Sequence, residues 1–81
     1  MARIVPLAPF DTEFFAGQET LDVPAGTIFE LVRALDAIGP GFAQKAETRI
    51  AFAVDGALVT DWSSPLTAES EVLLVPRLAG G

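Results

Sequence analysis

Apolar residues recur along this chain at two spacings, and the change from one to the other marks its elements. Ile4-Val5-Pro6-Leu7 is an apolar run of strand length, with Pro6 unable to donate to a ladder. Ala8 to Gly17 reads as a turn-rich loop carrying Phe10, Phe14 and Phe15. Glu19 to Val23 alternates polar and apolar, the signature of a half-buried strand, and Pro24-Ala25-Gly26 ends it. The sharpest signal comes next. Thr27 and Glu30 have the spacing of a capping box, in which the hydroxyl accepts from a backbone amide three residues on while the carboxylate reaches back. Ile28, Leu31, Val32, Leu35 and Ile38 then form one apolar stripe at helical intervals, with Glu30, Arg33 and Asp36 off it. Gly39 is suited to the left-handed conformation that closes helices, and Pro40 forbids continuation, so the pattern predicts a helix of about three turns.

Beyond a loop from Gly41 to Thr48, Ile50, Phe52 and Val54 alternate with Arg49, Ala51 and Ala53. Asp55-Gly56 follows directly, a strong signal for a two-residue hairpin turn, with Ala57-Leu58-Val59 as the returning strand. Asp61 to Ala68 is irregular. Glu71-Val72-Leu73-Leu74-Val75 is an apolar run expected to be buried on both faces in mid-sheet, stopped by Pro76. Val72/Leu74 and Leu73/Val75 must face opposite sides, but the pattern does not say which set meets the helix. A single helix can cover only one face of a sheet, and an all-apolar last strand belongs in its middle, parallel to the first. The expected fold is α+β, a β-grasp (ubiquitin-like) roll: a mixed four- to five-stranded sheet with one main helix across one face. Residues 1–76 form the domain, and 77–81 a flexible tail ending in Gly80-Gly81.

Composition narrows the chemistry. The 81 residues are 51% hydrophobic, enough for one compact core, and include no Cys, His or Tyr. Disulfides, zinc clusters and thiolate nucleophiles are excluded, no metal site is expected, and the general bases reduce to carboxylates and Lys45. Independent catalysis is not expected. Glu69 and Glu71 lack pocket-forming surroundings, and Lys45 reads as a solvated loop cation. A net charge of −6 opposes binding to nucleic acid or to an anionic membrane surface. No apolar run approaches the roughly 20 residues of a membrane span, and the start lacks a signal-peptide pattern, so the expected location is cytoplasmic.

Val23-Pro24-Ala25-Gly26-Thr27 before the helix, Val54-Asp55-Gly56, Pro65-Leu66, Glu71 to Pro76 and the closing Gly80-Gly81 together resemble the ubiquitin-like sulfur carriers, most closely the small subunit of molybdopterin synthase. The resemblance spans Leu21 onward, and the Gly-Gly pair is its specific part. The chain departs from the family in having Asp11-Thr12-Glu13 where an Arg-Glu pair is frequent, Ala68-Glu69-Ser70 where the turn usually contains Gly, and Arg77-Leu78 where an apolar pair is common.

The resemblance implies a carrier completed by others. An ATP-dependent adenylating enzyme would let the Gly81 carboxylate attack the α-phosphate of ATP. A sulfur donor would convert the acyl-adenylate to a thiocarboxylate, and the tail would enter a larger catalytic subunit that makes molybdopterin. No cofactor is stably bound in this scheme; ATP and the sulfur donor are used by the partner. Gly80 and Gly81 are the reacting end, since a Cβ there would obstruct a narrow channel. Pro76, Arg77, Leu78, Ala79, Phe10, Phe14 and Phe15 are the candidate partner contacts, with core packing the expectation for at least one Phe. Trp62 is expected to pack. The alternatives are a thiamine- or cysteine-pathway carrier, a protein modifier joined through isopeptide bonds, and a β-grasp interaction module whose tail is idle.

Overall fold

The computed structural model describes residues 1–77. Five strands, β1 (Ala2–Pro6), β2 (Leu21–Val23), β3 (Ile50–Val54), β4 (Ala57–Val59) and β5 (Glu71–Pro76), form one sheet in the order β2-β1-β5-β3-β4. β5 is central, parallel to β1 and antiparallel to β3, while β2 and β4 are antiparallel edges. This is the β-grasp arrangement expected from the element order.

Helix α2 (Ile28–Ile38) carries the predicted cap: the Thr27 hydroxyl accepts from the Glu30 N–H at 3.2 Å. The Glu30 carboxylate reaches one residue further than the motif requires and accepts from the Gly26 N–H at 2.8 Å. Ile28, Leu31, Val32 and Leu35 are buried against Ile4, Val23, Ile50, Phe52, Val72 and Leu74. Ile38, expected on the same stripe, is 50% exposed. Ten residues on from Ile28 it has rotated about 80° off the stripe centre, and it sits on the last turn.

Two segments read as loops are helical. α1 (Phe10–Phe14) and α3 (Phe42–Thr48) add to α2 on the same side of the sheet, with Phe10, Phe15, Phe42 and Ala46 in the core. Both are too short for a 3.6-residue period to stand out in sequence.

Gly39 does not take the left-handed conformation; its φ is −124° and its ψ 90°. It is glycine because a Cβ would lie 2.5 Å from the Phe14 carbonyl oxygen and 2.8 Å from the Phe14 Cβ. The positive φ falls instead on Gly41, at +98°, where the chain turns into α3. Asp55 and Gly56, with φ of +50° and +88°, form the hairpin turn their sequence predicts. The Asp55 carboxylate also accepts from the Glu71 N–H at 3.0 Å, tying the turn to the start of β5.

Replacing Gly39 with Ala forces α1 away from the end of α2 and is expected to lower stability by about 1–3 kcal/mol. Thr27→Ala removes the cap and costs about 1 kcal/mol. Urea unfolding measures both; a neutral Gly39→Ala contradicts the close approach of Phe14.

Candidate functional site

The parity of β5 decides how the chain leaves the sheet. Its odd-numbered N–H groups point to β3: Arg77 donates to the Arg49 carbonyl at 2.9 Å, and Glu71 to the Asp55 carboxylate. Even-numbered positions point to β1, and there Pro76 has no N–H to offer. Its would-be acceptor, the Leu7 carbonyl, is taken by the Phe10 N–H at 2.9 Å. Pro76 thus ends a mid-sheet strand without orphaning a carbonyl. Pro6 is placed by the same logic, beyond the last β1–β2 pair, Ile4↔Leu21.

Arg77 is therefore held to the sheet. Besides its backbone bond, its Nε donates to the Ile50 carbonyl at 3.3 Å. That carbonyl lies on the β4 side of β3, two residues before Phe52, where pairing to β4 stops at Phe52↔Val59. The guanidinium satisfies an acceptor that the short edge strand leaves open. Pro76 and Arg77, two of the candidate partner contacts, are exposed. Arg77, expected to open the flexible tail, is thus tied to β3, and the remaining tail residues Leu78, Ala79, Gly80 and Gly81 lie outside the described residues.

The two sides of β5 are now distinguishable. Val72 and Leu74 are buried beneath the helices, whereas Leu73 and Val75 face the other side and are only half-buried. Their cross-strand neighbours there are Val5, Ala51 and Ala53, also half-buried, and Leu58 beyond Ala53 is 71% exposed. The described helices all pack on the opposite side. The run is apolar on both faces, yet only one is covered by the protein itself, which corrects the expectation of burial on both. An open apolar sheet face along the central strand is suited to contact with another protein.

The three phenylalanines do not contribute to it. Phe10 is 3% and Phe15 2% exposed, and Phe14 is half-buried. Phe14 and Phe15 meet Phe42 of α3 with ring centroids 5.5 and 5.6 Å apart. Formation of α1 and α3 turns these side chains inward, so the expected docking patch is core. Trp62 packs as expected, edge-on against Phe52 at 6.1 Å and Phe29 at 5.4 Å.

A feature that the sequence reading did not isolate adjoins Arg77. Phe29, Glu47, Thr60, Asp61, Trp62 and Arg77 line an open groove of about 480 Å³. The Asp61 carboxyl is held below the usual carboxylate range by hydrogen bonds from the Ser63 hydroxyl at 2.7 Å and the Ser63 N–H at 2.9 Å. Only Asp61-Trp62-Ser63, a turn-forming residue beside an aromatic, hinted at it in sequence.

Residues 10–81 match the model of the ThiS family. No curated protein sequence matches the chain. Among solved structures, CysO of Mycobacterium tuberculosis is 11% identical with a TM-score of 0.84, over 96% of this chain and 100% of that one. A chain of the Amycolatopsis orientalis BexX/CysO complex is 15% identical with a TM-score of 0.79, covering 100% of both. A chain from the complex of subunits 1 and 2 of the molybdopterin-converting factor of Helicobacter pylori is 21% identical with a TM-score of 0.68, over 99% of this chain and 97% of that one.

Phe15→Ala is expected to cost about 3–5 kcal/mol, as a core truncation does. Leu58→Ser, on the open face, should stay within about 0.5 kcal/mol of the parent. Comparable losses for the two in chemical denaturation would show that the faces are misassigned.

Proposed function

This chain belongs to the ThiS family of ubiquitin-like sulfur carriers, and on that premise we propose that Gly81 is the sulfur-carrying residue, in the service of molybdopterin synthesis. The observation that carries the reading is that the family match runs through Gly80 and Gly81. The open sheet face and the anchored Arg77, four residues before Gly81 in sequence, support it, since a carrier needs a surface on which another protein can dock.

A carboxylate is a poor electrophile because its leaving group would be an oxide. An adenylating partner brings ATP to it; a Gly81 carboxylate oxygen attacks the α-phosphorus, pyrophosphate leaves, and an acyl-adenylate forms. Sulfur from a donor then attacks the acyl carbon and AMP departs with the shared electron pair. Where the sulfur arrives as a persulfide, the product is an acyl disulfide, and a second thiol attacks the donor sulfur, forming a disulfide with it and releasing the thiocarboxylate. In a synthase the thiocarboxylate sulfur passes to a pterin precursor held by a larger subunit. This chain contributes the acyl group and its delivery, while the partners contribute the catalytic side chains.

The solved complexes of similar fold, subunit 1 with subunit 2 of the molybdopterin-converting factor and BexX with CysO, support docking against a protein partner. The surface we assign to it is the half-buried face of Val5, Ala51, Ala53, Leu73 and Val75, continuous with Pro76 and Arg77. Choice of the molybdopterin pathway rests on the length of the chain and the proline, Pro76, that closes its last strand. A carrier feeding cysteine or thiamine synthesis would share all of the chemistry up to the thiocarboxylate, and so is separated only by its acceptor.

Two measurements test the proposal. Protein isolated from its host should show by intact mass a fraction in which one oxygen is replaced by sulfur, mapped to Gly81. Adding one residue after Gly81 should abolish ATP–pyrophosphate exchange by the adenylating partner while the unfolding midpoint stays unchanged. Undiminished exchange by the extended chain, or full function after deletion of Gly81, sinks the assignment.

A further inference from the structure

The groove beside Arg77 has no role in the chemistry above, yet it lies where a partner must come. Four extended residues separate the Arg77 Cα from that of Gly81, a span of at most about 14 Å. If Gly81 reacts inside another protein, as the carrier reading holds, that protein has to close around the Arg77 end of the domain. The groove is on this perimeter, with Arg77 as one of its walls.

Its lining selects an occupant. Phe29 is 56% exposed although it stands on α2, and Trp62 meets it edge-on at 83°. These two aromatics are fixed by the backbone: the Trp62 carbonyl accepts from the Phe29 N–H at 2.9 Å, and the Ser64 carbonyl from the Ile28 N–H at 3.3 Å. The segment from Trp62 to Ser64 thereby satisfies N–H groups at the start of α2, and the wall is rigid for the same reason. Two carboxylates, Glu47 and Asp61, complete the lining, and the Ser63 hydroxyl and N–H donate to Asp61 and fix its carboxylate in place. The one cation in the lining, Arg77, turns its Nε–H to the Ile50 carbonyl and keeps its charge, and the two carboxylates outweigh it. Aromatic faces attract cations through their quadrupole, and the carboxylates add charge of the complementary sign. An anion would meet both repulsions.

We propose that the groove of Phe29, Glu47, Asp61 and Trp62 is a second docking site, which receives an arginine or lysine side chain of the protein that processes the tail. It is separate from the open sheet face, and it rests on the carrier reading only for the identity of that protein.

Trp62 is the chain's one tryptophan, so its fluorescence reads the groove directly. In the intact 81-residue chain, titration with acetyl-tetra-arginine amide at low salt should change its emission saturably, and acetyl-tetraglutamate amide should not. The variant E47Q/D61N should bind the cationic peptide about five- to ten-fold more weakly, and Phe29→Ala should also weaken it. Neutralising two exposed carboxylates outside the groove, E13Q/E19Q, should leave the affinity within about two-fold of the parent. An unresponsive Trp62, or equal weakening by E47Q/D61N and E13Q/E19Q, overturns the proposal. None of these readouts requires Gly81 to be activated, so a chain that fails as a sulfur carrier gives a different result from one whose groove fails to bind.

Discussion

The central strand β5 has to satisfy two demands that ordinarily conflict: full hydrogen bonding on both edges, and an end from which the chain escapes. A strand in mid-sheet that simply continued would carry its last residues into further pairing. Here the ladder toward β1 has run out by Pro76, the acceptor that position would need is already bonded to Phe10, and the imide nitrogen demands nothing. Pairing toward β3 lasts one residue longer, through Arg77. The exit is thus defined by hydrogen-bond accounting, and a proline is the residue that suits it.

The same strand divides the molecule into a covered and an open side. Val72 and Leu74 take their places under α2 with Ile4 and Phe52, and α1 and α3, joined by the Phe14, Phe15 and Phe42 rings, complete that side. Leu73 and Val75 are as hydrophobic but are shielded only by small or β-branched neighbours. A domain of this size has too few elements to cover both faces of a five-stranded sheet. What is left open is an apolar surface, the one assigned above to a docking partner.

In the proposed carrier chemistry the reacting group is a peptide end, which frees the domain from forming an enclosed pocket. Recognition then falls on the surfaces within reach of that end. Two such surfaces flank Arg77, one apolar and flat, the other an aromatic groove with two carboxylates. They differ enough in character to be read by different contacts of a partner, or by different partners at successive steps.

Much of this was legible in the chain itself. The capping box of Thr27 and Glu30, the stripe of α2, the Asp55-Gly56 turn and the order of strands are local or periodic features, and each formed as its residue types dictate. The Gly-Gly pair and the strand before it likewise declared the family. What only the tertiary structure decided depends on contacts distant in sequence. α1 and α3 are too brief to show a period, and their packing drew Phe10 and Phe15 inward. Gly39 is required by the approach of Phe14, twenty-five residues away, and not by its own backbone angle. The side to which Leu73 and Val75 point, and the meeting of Phe29, Glu47, Asp61, Trp62 and Arg77, follow from register and chain crossing, to which a one-dimensional pattern of apolar and polar residues is blind.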